Sequence, residues 1–358
     1  MTSVEKNELM ELLKTIAPGT KLRAGLDSIL SAKSGALIVV GENEEVMELA
    51  EGGLEINCDF SPSLLYELAK LDGAIILSDD AERILRANVH LHPRIAKSST
   101  ETGIRHRVAQ RMARQTGVLV IAISHRRATI TLYKGHLRHV LQDTGFILTK
   151  ANQAVQTLEK YKDILNQTLN NLSILELNGL VTVYDVIKVI QRALLVLRII
   201  EELELYICQL GSEGKLVNMQ LKELDSGLKE EIILVLKDYF CPNETNACEE
   251  ELLENMVAHS AGHLLDTTDI SRMMGYGSNA ASLDREVTPR GYRLVAKTVR
   301  MPCHVVESVV DEFGSLPEIM KREIEELIEV EGIGEIRAKA IKDGFRKLRE
   351  ELIYDRNL

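Results

Sequence analysis

ETGIRHRVAQRMARQTGVLVIAISHRR, residues 101–127, carries the fold and the chemistry of this chain in one stretch. Residues 103–116 have helical character and stop before Gly117, a natural residue for a helix C-terminus because glycine adopts the left-handed conformation at little cost. VLVIAIS (118–124) follows as an unbroken apolar run, short enough for a strand and apolar enough to be buried on both faces. TITLYK (129–134) alternates, which predicts a partly exposed strand. Upstream the same rhythm recurs. ALIVVG (36–41) and GAIILS (73–78) read as strands, and ILRANVHL (84–91) as an edge-like one. Helices are expected over 4–16, 22–32 and 61–71, the last capped by Ser61 with Pro62 at its first position. Strands separated by helices at this spacing predict an α/β domain with a central mixed sheet.

The bulk numbers fit a cored, multidomain protein. A chain of 358 residues suggests two or three domains at one per ~150 residues. Apolar residues make up 45%, but aromatics only 4% and tryptophan is absent, so the cores rest on Leu, Ile, Val and Ala. Cys58, Cys208, Cys241, Cys248 and Cys303 are scattered and contain no CxxC, as expected of reduced thiols. The first ten residues are polar, which predicts no leader. The longest apolar runs are too short to span a bilayer, so a cytoplasmic protein without membrane contact is expected.

Charge is spread unevenly. Residues 1–150 hold 19 Lys+Arg against 18 Asp+Glu, residues 151–289 hold 11 against 22, and residues 290–358 hold 13 against 14. The middle therefore carries the whole net charge of −11, and any anion-binding role belongs to local clusters at the two ends. That middle has long helical patterns over 146–172 and 181–209, divided by Gly179, with GSEG (211–214) closing the second. It reads as a helical spacer with a solvated acidic surface. CPNETNACEEELLENM (241–256) is expected to be irregular. Cys241, Cys248, His259 and His263 have the outline of a metal set, but the cysteine spacing is wide for one tetrahedral ion, and a plain connection is the preferred reading.

From about 290 short helices are expected. VEGIGEIRAKAI (330–341) stands out among them. Gly332, Ile333 and Gly334 form a tight turn into a helix, two glycines permit sharp turning and close approach, and the helix N-terminus presents free N–H groups to one phosphate. Arg337 and Lys339 lie beside it. The pattern resembles the second hairpin of a helix-hairpin-helix module, which grips the DNA backbone without reading sequence. A shift of 31 residues lays RMPCHVVESVV (300–310) on EGIGEIRAKAI, with Val305 on Ile336. The apolar frame repeats and the glycines do not, so the first hairpin is degenerate, with Arg300 as its one candidate phosphate contact. The bland alternative is a glycine turn between packed helices.

The N-terminal cluster also asks for an anion. Thr100 or Thr102 is expected to cap the helix, which places Arg105, His106 and Arg107 in its first turns, where cations oppose the helix dipole. Repeated opposition points to an external polyphosphate, although salt bridges to Glu101 and other acids would also account for it. Asp72 precedes a strand and is followed by the small residues Gly73 and Ala74. It can hold a divalent cation or take a hydroxyl proton, or simply cap a turn. Ser124, Arg126 and Arg127 sit at the C-terminal mouth of a buried strand, where ligands of α/β sheets tend to bind.

Taken together, DGA (72–74), GIRHR (103–107) and SHRR (124–127) resemble the diadenylate cyclase domain. The likeness extends through residues 17–30, 60–80, 88–91, 101–107, 115–127 and 145–162. Joined to a helical spacer and a C-terminal hairpin module, the three-part order resembles the bacterial DNA integrity scanning family over essentially the whole chain. The resemblance implies a cyclase domain at 1–145, an all-α spacer at 146–289 and an all-α helix-hairpin-helix domain at 290–358. It implies that two ATP become cyclic di-AMP and two pyrophosphates at facing sites of a homo-oligomer, an octamer, in which branched or junction DNA suppresses synthesis as part of a DNA-damage checkpoint. Asp72 with Mg2+ or Mn2+ would prepare the ribose 3′-hydroxyl. Gly73 and Ala74 would admit the nucleotide, and Leu91 would line the adenine pocket. Gly103 and Ile104 would complete the nucleotide contacts. Arg105 and His106 would hold phosphates or the metal with Arg107 in support, and Ser124 and Arg127 would reach the triphosphate. Ile104 and Val108 stand where the family commonly has Thr or Met and Thr, and HPRIAKSST (92–100) lacks its extra prolines. Those departures bear on rate rather than reaction type, and His125 receives no role. A DNA-junction scaffold without cyclase activity, or another ATP-using transferase, remains the alternative; no P-loop motif is present.

Overall fold

A computed structural model describes residues 3–94, 101–241, 248–260, 266–298 and 301–355. It divides into two compact units. One comprises Met1–Asn152 and Glu204–Asn218, the other Gln153–Leu203 and Met219–Leu358.

The first unit is built from α1 (Ser3–Thr15), α2 (Lys21–Ser31), β1 (Ala36–Val40), α3 (Glu44–Glu48), β2 (Ala50–Glu51), β3 (Leu54–Asp59), α4 (Pro62–Leu68), β4 (Ala74–Leu77), β5 (Arg83–Leu91), α5 (Ile104–Thr116), β6 (Leu119–Ser124), β7 (Thr129–Lys134), β8 (Leu137–Val140) and the start of α6 (Thr144–Asn178). The strands form one mixed sheet in the order β2-β5-β4-β1-β6-β7-β8, with β3 also paired to β5. β1 and β4 are parallel, while β1–β6, β4–β5 and β6–β7 are antiparallel. Both faces of the sheet are covered. Ile38, Val40, Ile75, Leu77, Ile121 and Ile123 pack with Leu26, Ile29 and Leu65 of α2 and α4. Leu37, Val39, Ile76, Val120 and Ala122 pack with Ala109, Met112 and Ala113 of α5. Strands buried on both faces read as continuous apolar runs, which is why 36–40 and 118–124 were legible. Ser61 caps α4 by accepting from the Leu64 N–H at 3.1 Å, and Gly117 ends α5 with φ 73°.

Two strand expectations are corrected. β5 is not an edge: β4 pairs with one side of it and β2 and β3 with the other. β7 is not half exposed, because Ile130, Thr131, Leu132 and Tyr133 are all buried. The short, polar β8 pairs with it and both helical layers cover its faces.

The second unit is helical. It takes the remainder of α6 and most of α7 (Val183–Leu210). The end of α7, the 3-10 turn Gly211–Gly214 and the start of α8 (Lys215–Asp225) belong to the first unit; the second resumes with the rest of α8 and continues through α9 (Leu228–Tyr239), α10 (Glu249–Ser260), α11 (Thr267–Met273), α12 (Ala280–Leu283), α13 (Tyr292–Thr298), α14 (Cys303–Phe313), α15 (Leu316–Lys321), α16 (Ile324–Ile328) and α17 (Glu335–Asp355). The stretch expected to be irregular contains α10 from Glu249, and 242–247 lie outside the described residues. α17, at 21 residues, is not one of the short helices expected there. Val305, Val309, Leu316, Leu327, Ile333, Ile341 and Phe345 form the core at the C-terminal end.

A buried charge cluster joins α6, α9 and α13. Arg293 is 1% exposed and ion-pairs with Glu176, also buried. Tyr239 donates to Glu176 at 2.6 Å, and Arg293 donates to Ser173 at 3.0 Å. Asp238 accepts the backbone N–H groups of Gly291 and Tyr292 at 2.7 Å each and of Arg293 at 3.1 Å, so it caps the start of α13. Among the described residues, no helix is long and apolar enough to cross a membrane.

Candidate active site

Sheet topology brings three distant stretches to one end. β4 runs parallel to β1, and β6 runs antiparallel to both, with Ala36 opposite Ile123. The segments entering β1 and β4 therefore share an end with the segment leaving β6. Gly35, Asp72, Gly73 and Ser124 meet there. The expectation that ligands favour the C-terminal ends of parallel strands does not apply here, because β6 is antiparallel to its neighbours and the parallel pair β1 and β4 offers its N-terminal ends at this place.

Gly73 enters β4 with φ 97°, and a Cβ on it would lie 2.8 Å from the Asn88 carbonyl carbon and 2.9 Å from the Val89 oxygen. Asn88 itself has φ 55°, inside an irregular stretch of the β4–β5 register. Backbone packed on backbone cannot yield by a rotamer change. Gly73→Ala is expected to lower stability by about 2 kcal/mol or more, read as a shift in the urea midpoint, because it adds both backbone strain and overpacking. Ala74 is fully buried against the α5 layer, and Leu91, at the end of β5, is half-buried on that layer. The carboxylate of Asp72 is fully exposed.

α5 brings the basic residues. Gly103 is its N-cap and supplies no side-chain bond, so Thr102 is not the cap; Thr100 lies outside the described residues. The first intrahelical bond from this turn is Arg107 N–H to Gly103 O at 2.9 Å. The N–H groups before it point out of the helix end and suit an anion. Arg105 approaches Asp72 at 3.9 Å, and its guanidinium rests where a side chain on Gly35 would stand. Gly35, unremarked in the sequence, thus makes room for Arg105. Arg107 is exposed and Ile104 is 75% exposed, whereas Val108 packs on the α5 core and faces protein. Ser124 accepts from Arg127 N–H at 3.3 Å, which tightens the turn that exposes Arg126 and Arg127. His125 contacts the Lys33 carbonyl through Nδ1.

His106 reaches toward β7. Its Nδ1 lies 3.0 Å from the hydroxyl of Tyr133 on β7, the rings meeting edge to face. Glu101, the acid named in the alternative reading of the cluster, accepts from Arg138 Nε of β8 at 2.6 Å. The Tyr133 hydroxyl lies beside the same carboxylate. Burial pushes the Glu101 carboxyl up, but Arg138 and Tyr133 outweigh it and hold the group below the ordinary carboxylate range. Burial lowers the His106 pKa, Arg127 and Arg138 act in the same direction, and Glu101 opposes them. Burial, and then Glu101, raise that of Tyr133. Tyr133 and Arg138 had no signal in the sequence, since their roles arise from cross-strand register.

At the C-terminal hairpin, α16 and α17 flank the turn. Gly332 has φ 84° and a Cβ there would press on Val305 at 3.2 Å, so it needs glycine; a Cβ on Gly334 would meet open space. Ile333 is buried and Ile336 is 85% exposed. Arg337 donates to the Gly332 carbonyl at 2.6 Å, and Lys339 pairs with Glu335 at 2.6 Å. Val305 is buried, so its sequence match to the exposed Ile336 is not a match in packing, because Val305 fills the space against Gly332. Arg300 lies outside the described residues.

A divalent cation finds one hard oxygen donor here, Asp72. Among the described residues, no group of three or more His, Cys, Asp or Glu could hold a metal. That donor set fits Mg2+-like ions, which are commonly held by one or two carboxylates plus substrate phosphates. Of the alternative cysteine–histidine set, Cys241 and Cys248 are exposed, and His263 lies outside the described residues.

Known proteins resemble this chain in sequence. Residues 23–137 match the family model described as DisA bacterial checkpoint controller nucleotide-binding, and 141–283 match the DisA bacterial checkpoint controller linker region. The α/β unit with its basic helix end is that of a diadenylate cyclase, a nucleotidyltransferase. The DNA integrity scanning protein DisA of Carboxydothermus hydrogenoformans is 52% identical over 96% of this chain and 97% of its own. That of Clostridium acetobutylicum is 48% identical over 98% and 97%. A solved structure of DacA from Staphylococcus aureus is 21% identical with a TM-score of 0.28, covering 39% of this chain and 91% of that one. The chain belongs to the family of the DNA integrity scanning protein DisA.

Proposed function

We propose that the chain condenses two ATP into cyclic di-AMP and two pyrophosphates at facing sites of a homo-oligomer, an octamer. The observation that carries this reading is the convergence of Asp72, Arg105 and Ser124 with the uncapped start of α5 at one end of the sheet. The 3′-oxygen of each ribose attacks the α-phosphorus of the facing nucleotide. Its bond to the β-phosphate oxygen breaks, pyrophosphate leaves, and the hydroxyl proton passes to a base. Positioning and charge neutralisation do most of the work in such transfers. Arg105, Arg107 and Arg127 hold phosphoryl oxygens, helped by the N–H groups after Gly103 and Ile104. Asp72 orients the 3′-hydroxyl, Gly73 and Ala74 leave the nucleotide close to the backbone, Leu91 lines the base pocket, and Ser124 shapes the triphosphate turn. When bound at Asp72, Mg2+ or Mn2+ supplies Lewis-acid polarisation. Each site holds one nucleotide, so an isolated protomer makes no product.

The proposed division is a cyclase domain at 1–145, a spacer at 146–289 and a helix-hairpin-helix domain at 290–358. The Gly332 turn, the open space beside Gly334 and the exposed Arg337 and Lys339 support a phosphate-backbone contact, with Arg300 on the first hairpin adding another. Branched or junction DNA bound there lowers synthesis as a DNA-damage signal. ATP and DNA as partners place the enzyme in the cytoplasm. Incubation with ATP and Mn2+, with and without four-way junction DNA, tests both ends by chromatography and mass. Cyclic di-AMP that declines with the junction is expected. Only ADP or AMP from an assembled oligomer would overturn the cyclase reading.

A further inference from the structure

The hydrogen-bond chain behind His106 has more order than packing requires. Tyr133 is 1% exposed and fixed in the sheet between Val120 of β6 and Arg138 of β8. Its hydroxyl has one proton and three polar neighbours: the Glu101 carboxylate, the Arg138 guanidinium and His106 Nδ1. Arg138 can only donate. Glu101, paired with Arg138 at 2.6 Å, is ionised and can only accept. A carboxylate is the stronger acceptor, so the tyrosine proton goes to Glu101. The Tyr133 oxygen then has only lone pairs to offer His106, and Nδ1 must be the donor. The other ring nitrogen, Nε2, keeps its lone pair.

We infer that Tyr133, set by Glu101 and Arg138, is a positioning residue that holds His106 in the Nδ1–H tautomer, so that His106 meets the nucleotide through an acceptor nitrogen. This rests on the cyclase reading above and deepens it. An acceptor nitrogen repels phosphoryl oxygens and accepts from a hydroxyl, so the phosphates fall to the arginines and His106 serves a ribose hydroxyl. The logic is that of a buried partner fixing which nitrogen of a histidine does the work. The chain spans three elements, β7, β8 and the segment before α5. A short motif around His106 therefore carries no trace of it.

Tyr133→Phe in the full-length oligomer tests this, because it keeps the ring and removes only the oxygen. The turnover number for cyclic di-AMP is expected to fall about 10–100-fold, as for other partners that orient a working histidine. Affinity for 3′-deoxy-ATP, which binds but cannot cyclise, should stay within about threefold, since the phosphate contacts are untouched. A fall in turnover of about fivefold or less, or one matched by an equal loss of affinity, would overturn the inference. Should Tyr133→Phe fail to assemble, Glu101→Gln keeps the tyrosine ring in place and removes the ionised acceptor. The same split between turnover and affinity is expected, and the same two results would overturn it. If the unsubstituted protein makes no cyclic di-AMP, it is the proposed reaction that fails.

Discussion

Asp72→Asn is expected to lower cyclic di-AMP synthesis by about 10²–10⁴-fold while leaving the fold intact, the usual scale for losing a group that acts on a reacting proton. The substitution is nearly isosteric, and the carboxylate it removes is fully exposed at the mouth of β4. Nothing is packed on it, so the stability change should stay within about 0.5 kcal/mol. The contact to Arg105 at 3.9 Å is an exposed pair of the kind that contributes little. The loss lies in chemistry: an amide neither holds a divalent cation well nor orients a hydroxyl as an acceptor of charge. Product formation at saturating ATP and a thermal melt on the same sample separate the two effects. Activity within about tenfold of the unsubstituted protein would move the 3′-hydroxyl role to another group.

Arg293→Ala should have the largest effect on stability. The guanidinium is buried with Glu176 and sits on the helix that Asp238 caps. Its removal leaves Glu176 buried with the Tyr239 hydroxyl as partner, and a second carboxylate, Asp238, nearby. Breaking a buried pair by removing one member costs about 3–5 kcal/mol, because the remaining charge has lost its compensation and cannot reach water. Urea unfolding of the full chain, followed by a probe in the helical unit, reads this directly. Replacing both Arg293 and Glu176 by Met should recover much of the loss, because no unpaired charge then remains at that position. A small effect of the single substitution would mean that the cluster opens to solvent.

The sequence revealed most where structure follows from local pattern. β1, β4 and β6 are buried on both faces and wrote themselves as apolar runs; α5 had a glycine at each end. β3 was invisible because it is mostly exposed, carries Asn57 at φ 44° and shifts register against β5. β8 was invisible because four mixed residues hold no periodic signal. The site divides in the same way. DGA, RHR and SHRR could be found as clusters of chemistry along the chain. Gly35 could not, since its role is to leave space for an arginine seventy residues away. The pairing of Glu101 with Arg138 was not legible either, because Arg138 is brought to it by the pairing of β7 with β8.

The compact units do not follow the chain as beads follow a string. Glu204–Asn218 returns to the α/β unit, where the Ser212 N–H donates to the Pro18 carbonyl at 3.0 Å. The left-handed turn at Gly211, φ 51°, lies against that same proline and leaves no room for a side chain. The backbone therefore passes from one unit to the other three times. A protease cutting once at any of these passages would leave every piece still held by its unit, and a graft that ended the enzyme at residue 145 would strip away its own second segment. Moving this α/β unit whole into another protein therefore requires two joined stretches of chain.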